Sequence, residues 1–189
     1  MTAVVESVDT AAFAADLDAC HDKAAPGAVV VSARGWVIAS ASRVDGAPAP
    51  GGWAELSFAR RENPSPAAVR LAFATELVLL QRRTLAELLE LAVTRLEQRT
   101  SEGANLLNRQ LVRGSVADVA LRLSEADDLR RLDPRARRAW LIHRDLVACG
   151  RTMVKLFGAS GFVDDRPGRL VHLMELVGNT YLHPGEADA

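Results

Sequence analysis

Apolar and polar positions alternate with three different rhythms along this chain. Residues 9–25 are rich in Asp and Ala, with Phe13, Leu17 and Cys20 at helical spacing. This predicts a short helix ended by Pro26-Gly27. The run AVVVSARGWVIAS, 28–40, places β-branched residues on both sides of Ala33-Arg34-Gly35, the pattern of a hairpin. DGAPAPGG, 45–52, has the Pro and Gly density of a loop, and a third strand at 53–59 is weakly marked.

From Pro66 the rhythm becomes helical. Thirty-four residues, 66–99, contain no internal Gly or Pro, and apolar residues recur at i, i+3, i+4 and i+7. Leu77, Leu80, Thr84, Leu88, Leu91 and Arg95 trace one stripe, with Leu79 widening it in the middle turns. A helix of that length spans about 50 Å and needs neighbours along it. Further helices are predicted over 106–132, over 134–157 with Asp133 as N-cap and Pro134 at its first position, and after Pro167. Short connections favour antiparallel neighbours. The expected fold is mainly α: an antiparallel bundle of about four long helices over residues 61–189, with a small N-terminal helix and β-hairpin region over residues 1–60.

Composition narrows the function classes. The chain has 189 residues, enough for one well-formed core, and a formal net charge of −1 at pH 7. The charge argues against nucleic-acid binding, despite the local cluster RRLDPRARR at 130–138. Cys20 and Cys149 are far apart and outside any C-x-x-C spacing, so neither a disulfide framework nor a zinc site is expected. The N-terminus lacks a basic n-region, and no uncharged apolar run has the length of a membrane span, which points to a cytoplasmic protein.

Two motifs carry a resemblance. AVTRLEQRTSEG, 92–103, is followed by RQLVRGSVAD, 109–118, so that Ala92, Arg99, Gly103, Gln110, Ala117 and Asp118 fall in fixed register. KLFGASGF, 155–162, is followed by VDDRPGRL, with Gly158, Gly161, Phe162, Asp165, Pro167 and Arg169. In spacing and kind these resemble the two motifs of the C-terminal helical domain of the acyl-CoA dehydrogenase family. The resemblance covers about residues 65–185. The first 60 residues are far shorter than that family's N-terminal and middle domains, and the hairpin region stands where a shrunken middle domain would.

The resemblance implies FAD as cofactor, with Arg99, Gln110, Lys155, Gly158 and Gly161 at its phosphates. A guanidinium fork and close backbone N–H groups suit a pyrophosphate. It also implies an oligomer, either of this chain or with a larger acyl-CoA dehydrogenase-like partner, and an acyl thioester as ligand. The chain departs from the pattern at several positions. Ser101-Glu102 stand inside the first motif, Lys155 replaces a Gln, and Ala159 replaces a Gly. His172-Leu173 replace an Arg-Asp pair, and Tyr181 or Leu182 occupies the place of the family's catalytic Glu. Glu76 and His183 are the alternative candidates for a base. His143 reads as a packed or surface histidine rather than a catalyst. GASGF follows a helix and is therefore no dinucleotide fingerprint. Three functions follow from the sequence: a shortened dehydrogenase-like subunit sharing a flavin site with a partner chain, a non-catalytic assembly or regulatory module, or helices reused for another small-molecule ligand.

Overall fold

A computed structural model describes residues 9–49, 53–101, 103–132, 136–162 and 167–184. The protein is mainly helical, with about 70% of its residues in helix, five α-helices among the described residues, and a small antiparallel sheet. Helix α1 spans Thr10–Ala24, and the Asp9 side chain accepts from the Ala12 N–H at 3.0 Å, capping its first turn. Phe13, Leu17 and Cys20 are buried as their spacing predicts, and so is His21.

Strands β1 (Trp36–Ser40), β2 (Ala47–Ala49) and β3 (Trp53–Arg60) form one antiparallel sheet in the order β1-β3-β2. The turn at Ser32–Gly35 forms where the sequence places it, closed by Gly35 N–H to Ser32 O at 2.9 Å. The run before it is not a strand, however. The Val30 N–H donates to His21 Nδ1 and the Val31 N–H to Ser65 Oγ, both at 2.9 Å. Side chains supply the partners that a ladder would have supplied. The strand that pairs with β1 is β3, from Trp36 opposite Arg60 to Ser40 opposite Leu56. The weakly marked third strand is thus the centre of the sheet. The segment expected to be loop contributes β2 on the sheet's edge, where Pro48 is tolerated because a proline cannot donate to a ladder.

Helices α2 (Ala67–Gln98), α3 (Gln110–Leu132), α4 (Ala136–Leu156) and α5 (Pro167–Tyr181) occupy the expected segments. The predicted N-cap Asp133 and Pro134 lie outside the described residues. Phe73, Leu77, Leu80, Thr84, Leu85, Leu88, Ala92 and Leu96 are buried on α2, whereas Leu91 and Arg95 are only partly covered. The buried stripe therefore turns toward Leu85–Ala92–Leu96 in the second half of the helix.

Specific contacts set the register of the helices. Along α2 and α4 they run in the same order: Gln81 with His143, Leu85 beside Gly150, Arg99 beside Gly158. Along α2 and α5 they run in reverse, from Phe73 against Tyr181 to Gln81 against the Met174 carbonyl. Gly150 and Gly168 bring α4 and α5 together: an added Cβ on Gly150 would stand 2.7 Å from Val171 Cγ1, and one on Gly168 would overlap the Gly161 carbonyl.

One hydrophobic core joins Phe13, Leu17, Ile38 and Leu56 to Phe73, Leu77, Ile142, Met153 and Leu173, so burial is continuous across residue 60. The opposite face of β1, Val37 and Ala39, packs with Val31, Val44 and Ala59 in a second, smaller cluster. Alternate residues of one strand thus serve two cores.

Candidate functional site

Arg99 follows the last turn of α2 in an extended conformation, with φ −100° and ψ 132°. The chain then folds into a tight hairpin, β4 (Thr100–Ser101) paired with β5 (Ala104–Asn105), and a 3-10 turn over Leu106–Asn108 before α3 begins at Gln110. Gly103 takes φ +78°, which is strained for a residue with a side chain, and nothing among the described residues approaches within 4 Å of where its Cβ would be. Asn105 holds the hairpin: its Nδ2 donates to Glu97 O at 2.6 Å and its Oδ1 accepts from the Leu107 N–H at 2.8 Å. These bonds satisfy carbonyl and amide groups that a helix end leaves over. Glu102, which stands inside the motif, lies outside the described residues, as does Asp165.

The second motif comes to the same place from α4. Gly158 follows α4 with φ +67°, and among the described residues a Cβ there would have Arg99 Nη1 as its only neighbour within 4 Å, at 3.9 Å. An exposed guanidinium and an open glycine backbone are therefore juxtaposed, although 59 positions separate them in the chain. Gly161 is different. A Cβ there would stand 2.5 Å from Val154 O and 3.0 Å from Phe157 Cβ, so the last turn of α4 itself requires that glycine.

Lys155, in the last turn of α4, faces a groove of about 580 Å³ between α4 and α5, with Arg151, Phe162, His172 and Glu175 also on its walls. Arg151 Nη2 and Glu175 Oε1 are 2.6 Å apart across the groove. Phe162 is 70% exposed at its mouth. Gln110 is exposed at the first position of α3. The structure thus joins Arg99 to Gly158, sets Lys155 one turn away on α4, and leaves Gln110 across the β4–β5 hairpin.

The two candidate bases lie elsewhere. Glu76 is 23 positions before Arg99 on the same helix, about 35 Å away by helical rise. Its Oε2 is 2.8 Å from Lys23 Nζ on α1, a contact at the surface. His183 is exposed beyond the end of α5, its ring 4.8 Å from that of Trp140 and its Nδ1 3.1 Å from Arg34 Nη2. Gly158 lies near the opposite end of α5, which spans roughly 20 Å. Tyr181, one of the two residues that the resemblance sets opposite a catalytic Glu, packs against the core. Its Oη accepts from the Ile38 N–H at 2.8 Å and lies 3.2 Å from the Val30 carbonyl, and burial pushes its phenol pKa far above the usual range. Leu182 beside it is buried.

Spacing did not mark the buried polar side chains. His143 Nδ1 is 3.0 Å from Gln81 Oε1, Nε2 is 3.3 Å from Asn179 Oδ1, and Gln81 Nε2 donates to Met174 O at 3.0 Å. Burial lowers the pKa of His143 below its ordinary value, as it does for His21. The only signal for this group was Gly178, a glycine inside a helical run. It leaves the space into which His143 and Gln81 fit.

No protein-family profile, curated protein or solved structure matches this chain. Among the described residues, no group of three or more His, Cys, Asp or Glu could hold a metal ion, and no helix is long and apolar enough to cross a membrane.

Proposed function

We propose that this chain is a shortened acyl-CoA dehydrogenase-like subunit, and that α2–α5 form an antiparallel bundle offering part of an FAD site shared with a partner chain. One observation supports the reading above the others: Arg99 Nη1 stands 3.9 Å from the Cβ position of Gly158, so the two halves of the resemblance meet in space. The fit to a pyrophosphate is chemical. The guanidinium is exposed and always charged, the glycine backbone beside it is open, and Lys155 adds a second cation one turn away. FAD, when bound, accepts the hydride that leaves the β-carbon of an acyl thioester. Arg99, Gly158, Lys155 and Gln110 would hold and orient its phosphates. The α-proton needs a carboxylate that neither Tyr181 nor Leu182 provides, so the base falls to the partner chain.

A second reading is favoured by Tyr181. Of the two residues that the resemblance sets opposite the base, Tyr181 is a structural anchor bonded to the backbone of Ile38 and Val30, and Leu182 is buried. A non-catalytic assembly module would show that feature.

The visible absorption spectrum of the purified protein, before and after adding FAD and removing the excess, separates the two. A retained flavin band that disappears in Arg99→Ala is the result expected of the dehydrogenase-like subunit. A wild-type protein that retains no flavin, alone or with the partner chain, overturns that reading in favour of the module.

A further inference from the structure

A second cationic site lies at the tip of the sheet, away from the Arg99–Gly158 joint. Arg34 comes from the turn before β1, and Arg60 and Arg61 from the end of β3. The ladder places Trp36 opposite Arg60, and the Arg61 N–H donates to Gly35 O at 2.8 Å, so the two segments meet side by side. Gly35 takes φ +79°, and a Cβ there would stand 2.6 Å from Arg61 O. Only glycine allows this approach. Between the segments is a concavity of about 480 Å³ lined by Arg34, Gly35, Arg60, Arg61, Glu62 and Pro64.

Two of the three guanidinium groups, those of Arg60 and Arg34, lie beside aromatic rings rather than carboxylates. The Arg60 guanidinium carbon lies 5.7 Å from the centroid of the Trp36 ring, a cation–π contact. Arg34 Nη2 lies 3.1 Å from Nδ1 of the His183 ring. Arg61 is exposed, and its backbone is pinned by Gly35. Several other surface arginines pair with carboxylates: Arg43 with Asp22, Arg82 with Asp127, Arg83 with Asp16 and Arg151 with Glu175. Among the described residues, none of the three arginines at the sheet tip is within ion-pair distance of a carboxylate, and Glu62 is the single acid on the wall.

We propose that this concavity binds the phosphate or pyrophosphate group of a small organic ligand. Guanidinium forks around one concavity suit phosphate oxygens in geometry as well as charge. A concave site of this volume suits a small molecule better than a flat macromolecular surface. The turn that carries Arg34 is preorganised by Trp36 N–H to Ser32 Oγ at 3.0 Å and Ser32 N–H to Trp36 O at 2.9 Å, so little ordering is lost on binding. The inference does not rest on the flavin reading.

The test is calorimetric titration of the whole chain with inorganic pyrophosphate, at low and at moderate salt. The expected result is saturable binding that weakens about tenfold in Arg60→Ala and in Arg34→Ala, and is lost when Arg34, Arg60 and Arg61 are replaced together. Arg83→Ala, at a surface arginine paired with Asp16 outside both sites, should leave it unchanged, and the titration is repeated in the Arg99→Ala background so that pyrophosphate held at the proposed flavin site is separated from this one. Unchanged thermal unfolding of the variants establishes that they fold. The proposal is overturned if pyrophosphate does not bind, if the triple variant binds it like wild type, or if only Arg99→Ala abolishes binding. It is equally overturned if an oligonucleotide binds through these arginines while pyrophosphate does not.

Discussion

The imidazole of His143 and the carboxamide of Gln81 meet inside the protein, His143 Nδ1 lying 3.0 Å from Gln81 Oε1, in space that Gly178 leaves open. Gln81 is oriented by its own bond to Met174 O, so its oxygen faces the ring and Nδ1–H donates to it. Three helices are thereby tied together by polar groups that meet only in this register.

Gly178→Ala should therefore destabilise the protein. An added methyl overlaps the imidazole and crowds Gln81 Nε2 at 2.7 Å. Alanine's better helix propensity contributes about 1 kcal/mol in the other direction. Overpacking with displacement of buried polar groups costs more, so a net loss of about 1–3 kcal/mol is expected in urea unfolding. An unchanged midpoint would mean that the ring has another place to go.

Stability should fall as the pH drops below about 6.5, the ordinary histidine value. His21 Nδ1 accepts from the Val30 N–H, and Nε2 lies 2.9 Å from the Ile38 carbonyl, to which it donates, so the folded ring is held neutral. Burial lowers the pKa of His21 and of His143 in the folded state. Between the folded and unfolded values the unfolded chain binds more protons, so acid favours unfolding. The stabilisation from these histidines is complete above about pH 6.5 and is lost progressively below it. Urea midpoints from about pH 8 to about pH 5 check this, and His21→Gln should show a smaller loss over the same range.

Tyr181→Phe removes the acceptor for the Ile38 N–H and the hydroxyl beside the Val30 carbonyl. A buried donor left unpaired costs about 1–3 kcal/mol, which unfolding measurements should register. Tyr181 is the only tyrosine in the chain. Near-ultraviolet titration should therefore show no tyrosinate until the protein unfolds in base, because burial pushes this phenol up.

Neither thiol should react with a disulfide reagent in the folded state. Cys20 is buried and its pKa is pushed up to about 12, first by desolvation and then by the nearby Glu76 carboxylate. Burial also raises Cys149. The thiolate is the reactive form. Two thiols should titrate in denaturant and none before it; rapid reaction of either in the native protein would contradict the burial described here.

Much of the fold is legible in the chain because helix burial repeats locally. Residues 66–99 show a helical stripe without tertiary information, and α2 occupies Ala67–Gln98. The motif residues Arg99, Gly103 and Gln110 can likewise be found by spacing within one joint. The β region is less legible. Residues 28–32 have strand composition, but the Val30 and Val31 N–H groups bond to His21 and Ser65, side chains from other elements. Trp53–Arg60 is weakly marked, yet it is the central strand, because strand pairing depends on partners distant in sequence.

The sequence by itself determined where the helices are, the glycine and arginine spacings of two motifs, and the absence of a dominant charge. Only the tertiary structure decided what those residues meet. It brought Arg99 to Gly158, took Glu76 to Lys23, turned Tyr181 into an anchor, and gathered Arg34, Arg60 and Arg61 around one concavity. Periodicity is set within a few turns of chain. Proximity between segments arises only when a shared core, here running from Phe13 to Leu182, selects one register from many.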